Sequence, residues 1–264
     1  MTGITSSGSS TTVSVSGVYA TNNSSGVVTG NWANGTVTNY GSNGDGMTSG
    51  ADNGSSPNHA LDNSGTTEAI LLKFSSSVSL SSIGLGWASN GICKSGSTTV
   101  TPSADGSCPS GSTLQSTDVA GVNPQIDLSL FRWVGTGAPT ALAGQSVTSM
   151  SGWQLVGNYG DLTKDTSNPY NSVNQTGLGS SWWLVSAYNS GFTQTAVNAT
   201  TGTVDAGNDF FKLYAVAGTS CTGISTQCGT APATTGKVPE PGSLALAGMA
   251  LAGLAWTRRQ QRKA

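Results

Sequence analysis

The sequence predicts an all-β protein, with a β-sandwich as its body and a short C-terminal transmembrane helix. Three observations carry this. Of 264 residues, 37 are Gly, 40 Ser and 34 Thr, which disfavours helices and supplies turn and strand formers. Hydrophobic residues still reach 36% with seven Trp, so the chain has the means to build a core and is not a disordered tract. No repeat recurs at propeller spacing, which leaves several strands joined by long polar loops, the pattern of a single sandwich of about 200 residues.

The strands follow from alternation and β-branched or aromatic enrichment. Residues 11–19 alternate Val13 and Val15 with Ser14 and Ser16. Residues 69–74 place Ile70, Leu72 and Phe74 on one side, and 78–87 continue with Val78, Leu80, Ile83, Leu85 and Trp87. The step from Leu80 to Ile83 breaks the period of two and predicts a bulge. Residues 125–133 set Ile126, Leu128 and Leu130 against Asp127 and Ser129; 153–156, 182–187 and 210–217 complete the set. Residues 43–63, 94–118 and 159–177 are dense in Gly, Asn, Asp, Ser and Pro and read as loops. The expected organisation is a β-sandwich domain over 1–217, a Gly/Thr/Ser-rich linker over 218–237 and a distinct segment over 238–264.

Charge separates body from tail. Residues 1–237 hold six basic and eleven acidic side chains, a net −5, whereas 238–264 hold Arg258, Arg259, Arg262 and Lys263 against Glu240, a net +3. The body has no basic stripe interleaved with aromatics, so a nucleic-acid partner is not expected. Cys93 with Cys108 and Cys221 with Cys228 are close pairs without zinc spacing, and His59 is the single histidine. Structural zinc is therefore not expected, and two local disulfides are. An oxidised chain of this composition calls for export, yet residues 1–72 contain no Lys or Arg and no apolar run follows the first residues. The expectation is a signal encoded upstream or already trimmed.

Few constellations suggest chemistry. His59 and Asp62 are the one base-and-orienter pair for nucleophilic catalysis, but no GxSxG elbow accompanies them. Paired carboxylates for glycoside hydrolysis would have to come from acids that mostly sit in Gly/Asn turns. Asp45, Asp52 and Asp62 are the most clustered oxygen donors for Ca²⁺, without an EF-hand pattern, and turn chemistry explains them. Trp133, Trp182 and Trp183 offer a sugar-stacking platform; strand alternation lets one of the adjacent pair Trp182 and Trp183 face the core. No catalytic residue, metal or cofactor is expected. A secreted hydrolase ranks behind a secreted carbohydrate-binding module, and both behind a non-enzymatic surface or matrix protein.

The tail has three parts. Val238, Pro239, Glu240 and Pro241 precede an uncharged run over 242–257 that includes Leu244, Leu246, Met249, Leu251, Leu254 and Trp256, and the basic cluster closes it. As a helix this run spans roughly 24 Å, short of the hydrocarbon core but usable with thinning and snorkelling arginines. The basic flank stays cytoplasmic by the positive-inside tendency, and both prolines keep the preceding peptide extended.

Motif, order, spacing and position together resemble the PEP-CTERM sorting signal. The resemblance implies recognition of Pro239, Glu240 and Pro241 by an exosortase, a membrane cysteine transpeptidase of Gram-negative bacteria that make extracellular polysaccharide. It further implies a transient membrane segment at 244–256, a cytoplasmic stop at Arg258 and Arg259, and release of the body to the cell surface or matrix. Within the body, residues 57–63, 71–74 and 83–87 are similar to exosortase-dependent surface proteins of unknown activity. Residues 59–87 also resemble the first core strands of jelly-roll, discoidin-like binding domains, which makes a jelly-roll form of the sandwich the expectation.

Overall fold

The computed structural model describes residues 4–6, 9–50, 52, 56–101, 108–115, 124–164, 170–205 and 207–221. In chain order the strands are β1 (Ile4–Ser6), β2 (Ser9–Thr11), β3 (Val13–Thr21), β4 (Ala33–Asn39), β5 (Asp45–Thr48), β6 (Leu61–Asp62), β7 (Thr66–Ser89), β8 (Ile92–Ser95), β9 (Thr98–Val100), β10 (Thr113–Gln115), β11 (Gln125–Trp133), β12 (Trp153–Thr163), β13 (Tyr170–Ser172), β14 (Ser180–Ala187) and β15 (Phe210–Ser220). A 3-10 turn lies at Gly41–Asn43, and no α-helix occurs among the described residues.

The all-β expectation holds, but the sandwich does not form. β7 is continuous over 24 residues, whereas the sequence pattern reads as two strands interrupted at Ser75, Ser76 and Ser77. The serines lie within one continuous strand. Val78 pairs with Ser180 on one side and Ser220 on the other, so β3 and β15 follow each other along one edge of β7. From β3 the chain passes through β4 to β5, and β5 meets β15 at Asp45 and Leu213. The result is a closed ring of five strands, β7-β3-β4-β5-β15, and the sheet extends from β7 through β14 and β11 to β12.

β4 and β5 close the ring, and both escape a pattern search because they are short and polar. β4 carries one large apolar side chain, Val37. Gly17 of β3 and Gly35 of β4 are cross-strand partners, and a Cβ on either would strike Met47 of β5. Absent side chains on β3 and β4 thus make room for Met47, which is fully buried and fills that part of the ring. Closure pairs backbone groups that a two-layer sheet would leave at edges.

Alternation sorts the core. Ile70, Leu72, Trp183 and Val185 join one cluster, while Ala69, Phe131 and Leu184 join a second on the opposite face with Trp32, Met150 and Trp153. Trp183 is fully buried and Trp182 is not, as alternation requires. The predicted bulge is present: Ala217 pairs with Ser82 and Gly218 with Leu80, leaving Ser81 as the extra residue. Strands 11–19, 125–133, 182–187 and 210–217 were legible, the second with its full extent. The stretches read as loops contain β5, β6, β9, β10 and β13, built from Thr, Gly and Asn with little apolar alternation.

β8, β9 and β10 make a separate three-stranded sheet. It is clasped by the expected disulfide between Cys93 and Cys108, whose Cα atoms are 5.3 Å apart. Cys221 is also disulfide-bonded, and Cys228, its expected partner, lies outside the described residues.

Candidate functional site

The strand pair β7–β15 departs from regular pairing where it builds the main side-chain cluster on the ring exterior. Lys212 pairs with Trp87 and Leu213 with Leu85, so Gly86 has no opposite number; Ala215 pairs with Gly84, so Tyr214 has none either. An extra residue reverses the side-chain parity beyond it. Leu85 and Ala88 both enter the core, and Trp87 is carried to the outer face. On β15, Phe211 and Leu213 point inward, which places Lys212 outside with Trp87. Gly86 is required by contact: a Cβ there would run into the carbonyl of Asn43 and lie 3.0 Å from Cβ of Tyr214. The 3-10 turn therefore rests on β7.

The turn brings Tyr40, and the segment before β6 brings His59. The ring centroids of Tyr40 and His59 are 4.8 Å apart, and His59 meets Trp87 edge-on at 6.2 Å. Lys212 Nζ lies 4.1 Å from the Tyr40 ring centroid and 4.9 Å from that of Trp87. Each such cation–π contact contributes about 0.5–2 kcal/mol, more as water is excluded. Lys212 is 3% exposed, and no ion pair to it occurs among the described residues. Burial holds its amine below the usual lysine range. His59 is likewise lowered, first by burial and then by the Lys212 charge, with the Pro57 backbone opposing. Nδ1 of His59 is buried without a hydrogen-bond partner. Tyr214, 42% exposed, borders the cluster.

His59 and Asp62 are drawn into different surroundings. His59 belongs to the aromatic cluster, whereas the Asp62 carboxylate accepts the Ser64 N–H at 3.0 Å and is buried beside Glu68 and Asp52. Of the acidic turns, Asp45 accepts from Asn39 and Asp52 from both the N–H and hydroxyl of Ser49. No three His, Cys, Asp or Glu side chains among the described residues are placed to hold a metal ion. A second acidic group acts as a clasp: Asp127 accepts the N–H groups of Asp161 and Asp205, and Asp209 accepts that of Asp127 and the amide of Asn63. These carboxyl groups tie β11 to β12, to the segment before β15 and, through Asn63, to the segment after β6.

The tryptophan platform that the sequence offers is not assembled. Trp183 is core and donates its indole N–H to Ser180 O at 2.9 Å, Trp133 packs on Trp153, and Trp182 is covered by Lys73 at 5.0 Å. Tyr40, Trp87, Lys212 and Tyr214 were missed as a group because Trp87 reads as the next inward residue after Ile83 and Leu85. The signal was available in Gly84 and Gly86, since glycine inside a strand marks a bulge or a close backbone approach.

The body is thus an all-β closed-ring domain with an aromatic and cationic cluster outside the ring. The tail supplies the closer identification. Residues 237–259 match the PEP-CTERM protein-sorting motif, a span that includes Val238, Pro239, Glu240 and Pro241. No curated protein and no solved structure matches the chain. The motif implies processing by an exosortase, with export to the cell surface or extracellular space. No helix among the described residues is long and apolar enough to cross a membrane, and the segment expected to do so, 244–256, lies outside them, as do the basic residues Arg258, Arg259, Arg262 and Lys263.

Proposed function

We propose that the protein is a non-enzymatic surface or matrix protein, delivered through its exosortase signal and acting there by binding. The PEP-CTERM motif at 237–259 carries this reading. In it, Pro239, Glu240 and Pro241 are gripped by the exosortase while 244–256 sits transiently in the membrane and Arg258 and Arg259 remain cytoplasmic. The separation of His59 from Asp62 into different hydrogen-bonding surroundings supports binding over hydrolysis. The test is the mass of the mature protein in cells with and without the exosortase. Loss of the tail in exosortase-positive cells alone is expected; a chain still ending in Lys263 and Ala264 in both would overturn the assignment.

A second reading, a carbohydrate-binding module retained in a polysaccharide layer, is favoured by the exterior cluster. Tyr214, 42% exposed beside Trp87 and Lys212, gives a partly apolar ring against which a sugar packs.

A further inference from the structure

We propose that Lys212, framed by the rings of Tyr40 and Trp87 beside Tyr214, anchors a carboxylate-bearing sugar of an acidic polysaccharide. The proposal rests on the carbohydrate-binding reading above and names its ligand class.

The cation is the first argument. An ammonium taken out of water is costly unless it is paired, and Lys212 is 3% exposed against the ring faces of Tyr40 and Trp87. Cation–π contacts offset part of that cost and leave the charge without an anion. The body around it is acidic overall, with eleven acidic against six basic side chains over 1–237, yet none of the described acids is an ion-pair partner of Lys212. A carboxylate supplied from outside completes the site.

The surroundings select a sugar over a bare anion. A phosphate or sulfate needs several converging N–H donors, and the backbone donors of the neighbouring turn are spent. Tyr40 N–H donates to Gly44 O at 2.9 Å, Gly44 N–H to Gly41 O at 3.0 Å and Asn43 N–H to Tyr40 O at 3.3 Å. What remains is one ammonium, the exposed Tyr214 ring and phenol hydroxyls. That set matches a pyranose carrying one carboxylate, with the C–H face on the Tyr214 ring and the acid group on Nζ.

The experiment measures binding of the full chain to polygalacturonate, to the same polymer with its carboxylates methyl-esterified, and to dextran. Polygalacturonate is expected to bind, with methyl esterification weakening it roughly tenfold or more, as loss of one partner of a desolvated charge pair does. Lys212→Met is expected to lose the same factor and Lys212→Arg to recover most of it, while Tyr214→Ala weakens binding to both forms of the polymer. The esterified polymer tests the charge from the ligand side, so the result stands even if a variant folds poorly. Equal binding of the acidic and esterified polymers sinks the carboxylate anchor and leaves the carbohydrate-binding reading intact. Absence of binding to all three polymers overturns both.

Discussion

The hydroxyls of Thr11 and Ser220, 209 positions apart in sequence, lie 3.3 Å from each other. Thr11 also reaches Ser76 at 3.3 Å, and the Cys221 N–H donates to Ser77 O at 2.9 Å. The residues that lead into β3 and those that end β15 therefore converge on the three serines of β7. Three polar residues interrupt the apolar pattern of β7 because they receive those two strands. Thr11→Val is expected to lower stability by about 0.5–1.5 kcal/mol, the net worth of one buried hydrogen-bonding group. Urea denaturation monitored by Trp fluorescence measures it, and a change no larger than that of the exposed control Ser24→Ala would remove the hydroxyl cluster from the account.

Gly86 separates backbone contact from side-chain contact. Its added Cβ would meet the Asn43 carbonyl, which cannot move without displacing the 3-10 turn, whereas at Gly17 the obstacle is the flexible Met47 thioether. Gly86→Ala is expected to cost about 1–3 kcal/mol as overpacking, and Gly17→Ala less. Because the turn carries Tyr40, the first substitution should also weaken the Tyr40–Lys212 contact, seen as a change in Tyr40 ring resonances.

Buried acids give a pH dependence whose sign can be worked out. Glu68 is fully buried near the start of β7, beside Asp62 and Asp52. Burial first, then the charges of Asp62 and Asp52, push its pKa well above the ordinary glutamate value, with the Asp62 backbone giving slight relief. Asp62 and Asp209 are raised by burial in the same direction. A carboxyl raised in the folded state binds more protons folded than unfolded, so its contribution is fully present below the unfolded value and is lost as pH rises through the folded one. Stability should therefore decline from about pH 4 upward through the raised values. Glu68→Gln is expected to flatten that decline and raise stability at neutral pH, as read by denaturant melts between pH 4 and 8. A steeper decline in the variant would contradict this account of the site.

The Cys93–Cys108 disulfide closes a loop with a sequence separation of 15 around the β8-β9-β10 sheet. In the chain-entropy model a loop of that size contributes about 3 kcal/mol. Because this sheet is separate from the ring sheet, Cys93→Ser with Cys108→Ser should act locally. Hydrogen exchange over 92–115 is expected to rise by orders of magnitude while β3, β7 and β14 keep their protection. Uniform loss of protection would show that the small sheet and the ring unfold as one.

Much of the strand content was open to pattern reading because burial on one face leaves a period of two, as in Ile126, Leu128 and Leu130. The candidate site was not, because parity at Trp87 depends on unpaired residues in two strands 120 positions or more apart. Trp183 illustrates the cost of reading side chains singly. As a platform residue it would be the natural binding variant, but Trp183→Ala would empty a core position, whereas Tyr214 is exposed at the cluster and tests binding.

By itself, the sequence determined the β class, the Leu80–Ile83 bulge, the Cys93–Cys108 pairing and the PEP-CTERM tail, because each is written in local spacing or local chemistry. Tertiary structure alone decided that the strands close into a ring and that Lys212 rests between Tyr40 and Trp87. Ring closure depends on one long strand that pairs with β3 along its first half and with β15 along its second, and on glycines whose missing side chains are filled by Met47. Such long-range fit leaves no periodic trace in either partner.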